Sequence, residues 1–293
     1  MRYTIVQWIS FFYIYAFCGW IWESCYVSAR QKKWVNRGFL RGPVVPIYGF
    51  GATILLAISM PFAENYLLTW AAGVAGATAL EYVTGWAMER LFKVRYWDYT
   101  GEKFNLHGYI CLKASIAWGF FTVIMVNILH PPIERVLENG ISTTGNIIIV
   151  CIISVFFAAD TILSARDAFD MAKALEAMER IWNELEEIQV QLALLKMETS
   201  DKMDELKAKA VNMKTVNIRE YRAEKTAEIK ENVAAKLEKI RELDLRKNEL
   251  NGSREKIFKG IRFGQKGLLR GNPTASAGKF EKSLKEFKEK YIK

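Results

Sequence analysis

Glu81, Gly85 and Glu89 recur every four residues in EYVTGWAMERLF (81–92), a spacing that puts all three on one face of a helix. Their surroundings are apolar, and an ionised side chain at the centre of a membrane-crossing helix costs on the order of 2.5–3.5 kcal/mol. Such a group faces protein or water and finds a partner. Glu23, Lys113 and Asp160 sit in comparable settings. Together these residues could line a polar pocket for a small polar or cationic solute, with Gly85 letting a helix or ligand approach closely. Carboxylates raised in pKa by apolar surroundings could instead serve as general bases, Glu81 or Glu89 in that role with Asp98 nearby. The plain alternative is a satisfied interhelical carboxylate at Glu81 and charges that snorkel to headgroups at Glu89, Lys113 and Asp160.

Two neighbouring stretches add candidates. RGFLRGPVVPIYGFGA (37–52) holds four glycines and two prolines, which disfavour regular helix. Broken backbone at membrane depth is tolerated where it is buried in protein or lines a cavity. A re-entrant or kinked segment is expected there, with Arg41 beside backbone N–H groups that could hold an anion and Tyr48 facing the same region. RYWDYTGEKFNLHGYICLK (95–113) sets Asp98, Asn105 and His107 among aromatic rings of the kind that concentrate at headgroup level. Arg41 and Lys113 are the expected counter-charges to the carboxylates. His107 and Cys111, four apart, are a weak metal signal; helix packing is the better reading, and no metal or cofactor is expected.

The elements that must position these residues follow from hydropathy. Five spans, roughly 4–28, 44–63, 66–90, 110–129 and 146–165, are each close to the ~20 apolar residues needed to cross a hydrocarbon core. The first carries Glu23 and ends in Arg30-Gln31-Lys32-Lys33, unlike a cleaved signal. Lys and Arg crowd 30–43 and 90–109 but are absent from 61–65 and single in 130–145. Positive residues stay inside, so the N-terminus is expected outside a plasma membrane and the C-terminus in the cytoplasm. On that orientation the outer half holds almost nothing ionisable. Cys18, Cys25, Cys111 and Cys151 lie in or beside the spans and form no disulfide framework.

The two halves of the chain differ. Residues 1–165 hold nine acidic and twelve basic side chains, and residues 166–293 hold twenty-three and twenty-nine. From Met178, Ile181, Leu185, Ile188, Leu192 and Leu195 follow a 3-4-3-4-3 seam, as coiled coils do. Ile229, Val233, Leu237 and Ile240 form a looser stripe. Residues 166–250 therefore read as cytoplasmic coiled-coil helices, either an intrachain hairpin turning near 210–217 or, since no Gly or Pro marks that turn, a long helix in a parallel homodimer. Residues 251–293, with twelve basic and four acidic side chains, read as a basic, partly disordered tail attracted to anionic membrane lipids. No reader motif suggests nucleic acid. The expected class is all-α.

FCGWIWE (17–23), RGFLRGPVVPIYGFGA (37–52), EYVTGWAMERLF (81–92) and YWDYTGEKFNLHGYICLKASIAWG (96–119) resemble the CmpB-like type IV ABC-transporter permease family of small bacterial membrane proteins. The resemblance runs through spans one to four, a little over a third of the chain. It implies a permease working with a separate ATP-binding subunit. This chain has no G-x-x-x-x-G-K-[ST] phosphate loop; Gly271 to Gly278-Lys279 has the wrong spacing and Phe280 where a hydroxyl should stand. Three functions stay open: a permease, a membrane enzyme on a lipid-linked substrate, or an anchor that displays its coiled coil.

Overall fold

The computed structural model describes residues 2–212 and 219–292, with side chains at all of these except 203 and 205–230. It is 81% helical, which confirms the all-α class and leaves one short two-stranded ladder among the described residues. The helices are α1 (Ile5–Gln31), α2 (Pro46–Ser59), α3 (Tyr66–Phe92), α4 (Leu112–Ile124), α5 (His130–Asn139), α6 (Thr143–Asn212), α7 (Arg219–Gly260), α8 (Phe263–Gly271) and α9 (Glu281–Tyr291). The ladder pairs β1 (Asn105–Leu106) with β2 (Ile110–Cys111). Residues 1–175 with 261–293 form one compact unit and residues 176–260 another.

Local chemistry sets the helix ends. Thr4 and Gln7 bond each other's backbone in a capping box at the start of α1. The Asn65 side chain accepts from the Leu67 and Leu68 amides at the start of α3. Lys32 and Lys93 close α1 and α3 in the left-handed conformation, which turns the chain and frees it to enter the next loop. Cys111 caps α4 through its sulfur. It lies on β2 and His107 beside β1, so the helical i, i+4 relation between them does not exist.

Among the described residues, three helices are long and apolar enough to cross a membrane: α1, the joined α4–α5 rod over Leu112–Asn139, and Thr143–Lys202 of α6. A π-helical turn, Met125–Leu129, joins α4 to α5. α2, extended to Phe62 by a 3-10 turn, is a shorter apolar helix. α3 has the length, about 40 Å at 1.5 Å per residue, but is less apolar. In sequence order α1 packs on α2, α2 on α3 and α3 on α4. α3 presents Thr69, Gly73, Ala77, Glu81 and Gly85 as one buried stripe, the small residues through which membrane helices approach closely. Glu81 is the only ionisable residue among these five.

The segment before α2 is not helical. It climbs back along α1, and α1 satisfies its amides: Val35 N–H donates to Ser28 Oγ at 2.9 Å, Arg37 N–H to Ser24 Oγ at 3.1 Å and Val45 N–H to Ala16 O at 3.0 Å. This agrees with the broken, re-entrant backbone that its glycines and prolines suggest. The Arg41 and Gly42 amides, at 3.2 and 2.8 Å, do meet an anion, and it is the chain's own Asp160 carboxylate on α6.

In the second unit α7 runs back along α6. Arg246 pairs with Glu184 at 2.7 Å and Lys236 with Glu198 at 2.5 Å, an antiparallel register. Ile181, Leu185, Ile188 and Leu192 are buried with Leu250, and Ile240, Leu243 and Ile257 pack beside them. Among the described residues the seam on α6 is therefore covered by α7 of the same chain, the hairpin arrangement of the two that the sequence left open. Leu237 of the looser stripe is exposed, and the side chain of Ile229 lies outside the described residues, as does the backbone at 213–217 of the suggested turn. Residues 261–292 are helices and short turns of the first unit, built around buried Phe280, Leu284 and Phe287, rather than an open tail.

Candidate functional site

One end of the first unit gathers the carboxylates, and each is met by a tyrosine. Tyr48 O–H donates to Glu23 Oε1 at 3.1 Å, Tyr99 O–H to Glu81 Oε1 at 3.0 Å and Tyr109 O–H to Glu89 Oε2 at 2.6 Å. α1, α3 and the entry to α2 supply Glu23, Glu81, Glu89 and Tyr48. The β1–β2 loop region supplies Tyr99 and Tyr109. Gly85, one turn from Glu81, leaves the space that Trp97 and Tyr109 fill; a Cβ there would press on both rings.

Two of the three acids also have a cation. Arg37 Nε donates to Glu23 Oε2 at 3.1 Å, and Arg95 Nε donates to Glu89 Oε2 at 2.7 Å. Glu81 has none. It is 7% exposed, its Oε2 makes no hydrogen bond of normal geometry, and the Trp118 indole is beside it. Burial, then the Glu81 and Glu23 charges, push the Tyr99 phenol well above its ordinary range, so Tyr99 keeps its proton and remains a donor. The phenol thus senses both acids.

Residues 261–292 cover this end. Arg37, buried, donates from its terminal nitrogens to Asn272 Oδ1 at 2.6 Å, Gly271 O at 3.2 Å and Tyr96 O at 3.2 Å. Asn272 Nδ2 donates to Gly38 O at 3.0 Å. Arg95 and Ser276 exchange both backbone hydrogen bonds, at 2.7 and 2.9 Å, and Ser276 Oγ donates to Asp98 Oδ2 at 2.6 Å. Burial alone would raise the Asp98 carboxyl. The hydrogen bonds from Ser276 and Thr100 and the charge of Arg95 outweigh it and hold the group below the usual carboxylate range. Gly271 lies against the Asn36 carbonyl with no room for a Cβ.

Of the residues singled out from the sequence, Glu23, Tyr48, Glu81, Glu89 and Asp98 belong to this cluster. Arg41 and Lys113 do not supply its counter-charges. Arg41 pairs with Asp167, and Lys113 is 81% exposed and 3.9 Å from Glu102. Asn105 donates to Thr100 O and Glu102 O and so holds its own loop. His107 faces Tyr82, and the described residues hold no group of three metal-type ligands. The neutralising pair, Arg37 and Arg95, lies inside the quoted motifs, but arginines in short loops read first as topology signals. Tyr99 and Tyr109 read likewise as interfacial aromatics. Nothing in residues 271–276 marked them as partners of the membrane part.

The opposite end holds a cluster with no clear sequence signal. Tyr3 donates to Glu134 Oε1 at 2.5 Å, so its oxygen accepts from His130 Nε2 at 3.0 Å, and His130 Nδ1 then accepts from Tyr15 O–H at 3.1 Å. Arg2 pairs with Glu134 at 2.9 Å. The histidine has both nitrogens satisfied and pins α1 to α5. That end is therefore less bare of ionisable groups than the sequence suggested.

Fold and site together define a helical membrane protein with hydrogen-bonded carboxylates gathered at one end. Residues 10–165 match the family described as “Putative ABC-transporter type IV”, and the chain belongs to that family. No curated protein and no solved structure matches it.

Proposed function

We propose that the chain is a permease-type subunit with five membrane spans, in which Glu23, Glu81 and Glu89 line a pocket for a small polar or cationic solute. The single observation that carries this reading is the unpaired, buried Glu81 carboxylate beside two arginine-neutralised ones. Structural acids are compensated in place, as Glu23 and Glu89 are, whereas a group left without a counter-ion in an apolar setting marks a substrate or ion path by default. Family membership supports a transport role and a separate ATP-binding subunit. Residues 261–292 act as a cover over the cytoplasmic mouth.

Five spans put the N-terminus outside and the cluster inside. Consistent with that orientation, α1 and α6 run in the same direction: Ser10 meets Asn146 and Tyr13 meets Ser154. Asp160, further along α6, meets the segment that returns from the far end of α1. An enzyme reading has less to draw on, because two of the three acids are already engaged in ion pairs with arginines.

The test is uptake into cells that depend on the protein, with Glu81→Gln compared with wild type at equal membrane abundance. The reading expects uptake to fall at least tenfold. Undiminished uptake by Glu81→Gln would remove it.

A further inference from the structure

Resting on the transport reading, we infer that Glu81 is an exchange site at which a proton and an organic ammonium ion compete. Every other acid in the cluster has a balancing cation: Glu23 has Arg37, and Glu89 and Asp98 share Arg95. Glu81, among the described residues, has the Tyr99 phenol on one oxygen and no cation, and its second oxygen makes no hydrogen bond of normal geometry, with the Trp118 indole beside the carboxylate. Neither a phenol nor an indole carries positive charge. An uncompensated carboxylate at this burial costs several kcal/mol, so the group exists either as the neutral acid or as the carboxylate of an ion pair with a cation.

The surroundings select the kind of cation. An alkali or alkaline-earth ion wants six or so oxygen ligands, and the described residues hold no group of three or more carboxylate, imidazole or thiol ligands around Glu81 or elsewhere. Aromatic rings are what surround it. Tyr99 binds the carboxylate, Trp118 sits beside it, and Tyr48 packs on Trp118 with centroids 6.1 Å apart. Trp97 and Tyr109 stand one turn along the same face at Gly85. A carboxylate among such rings suits an alkylammonium, whose spread charge and weak hydration favour cation–π contact. On exchange the Glu81 carboxyl proton leaves to water as the ammonium enters. The site keeps the same net charge in both states, and Tyr99 keeps its own proton and its bond to Oε1.

Purified full-length protein in mild detergent, near neutral pH and lightly buffered with an indicator dye, is titrated with tetramethylammonium chloride against sodium chloride at matched ionic strength. A saturable release approaching one proton per chain is expected with tetramethylammonium, no such release with sodium, and none from Glu81→Gln. Glu81→Asp, which keeps the acid, should still release a proton if Glu81→Gln fails to fold. Absence of saturable release from wild type, equal release by sodium, or undiminished release from folded Glu81→Gln would each overturn the inference. Uptake lost in Glu81→Gln with no proton release in wild type leaves the transport reading standing and rejects exchange. Proton release without any uptake does the reverse.

Discussion

Arg37 concentrates more of the site's order than any other side chain. Its guanidinium has Glu23 on Nε and three oxygens of two loops on its terminal nitrogens, a planar fork of donors that a lysine ammonium cannot reproduce. Replacing it with methionine leaves Glu23 without its cation, a change of the kind that costs about 3–5 kcal/mol. Arg37→Met should therefore lower the unfolding temperature in detergent by several degrees. Arg37→Lys should recover only part of that loss, as measured by thermal unfolding followed through circular dichroism. Glu81→Gln should behave in the opposite sense. It replaces an unpaired acid with a neutral group of the same shape, so stability should be equal or higher while uptake is lost.

At the scale of elements, the cover formed by α8, α9 and their connecting turns is held by polar contacts to the loops beneath it. Gly271 has no room for a side chain against Asn36 O, so Gly271→Val should lift this segment. Limited proteolysis should then cut within 261–292 at least several-fold faster, with the remaining membrane part still intact on a gel. Acid should act in the same place. The folded Asp98 carboxyl lies below its ordinary value, so the stability its contacts with Ser276 and Arg95 provide is present above the unfolded value of about 3.9 and lost as pH falls through the folded one. Proteolysis by an acid-tolerant protease should show Ser276→Ala losing protection at neutral pH and wild type losing it only in acid. α7 carries a parallel lesson. Its true packing residues, Ile240, Leu243, Leu250 and Ile257, are spaced more widely than the heptad positions of α6, so its helix was legible while its partner was not.

For the whole molecule, the proposed orientation puts the N-terminus outside and residue 292 in the cytoplasm. A membrane-impermeant thiol reagent on intact cells should label a cysteine placed at Thr4 and not one placed at Lys290. The reverse pattern would reject the orientation and, with it, a cytoplasmic mouth. What the sequence by itself determined is what local chemistry and hydropathy dictate: helices nearly throughout, a break before Pro46, and carboxylates on one stripe of α3, because spacing, apolarity and backbone restriction act within a few turns. Only the tertiary structure decided which charge meets which. Arg37 rather than Arg41 neutralises Glu23, α7 rather than a second chain covers the α6 seam, and the basic C-terminal residues lie over the site. Those outcomes join residues as far apart as Arg37 and Asn272, 235 positions along the chain. They turn on which side chain of the right charge reaches a buried group first, a matter of geometry to which residue type and periodicity are blind.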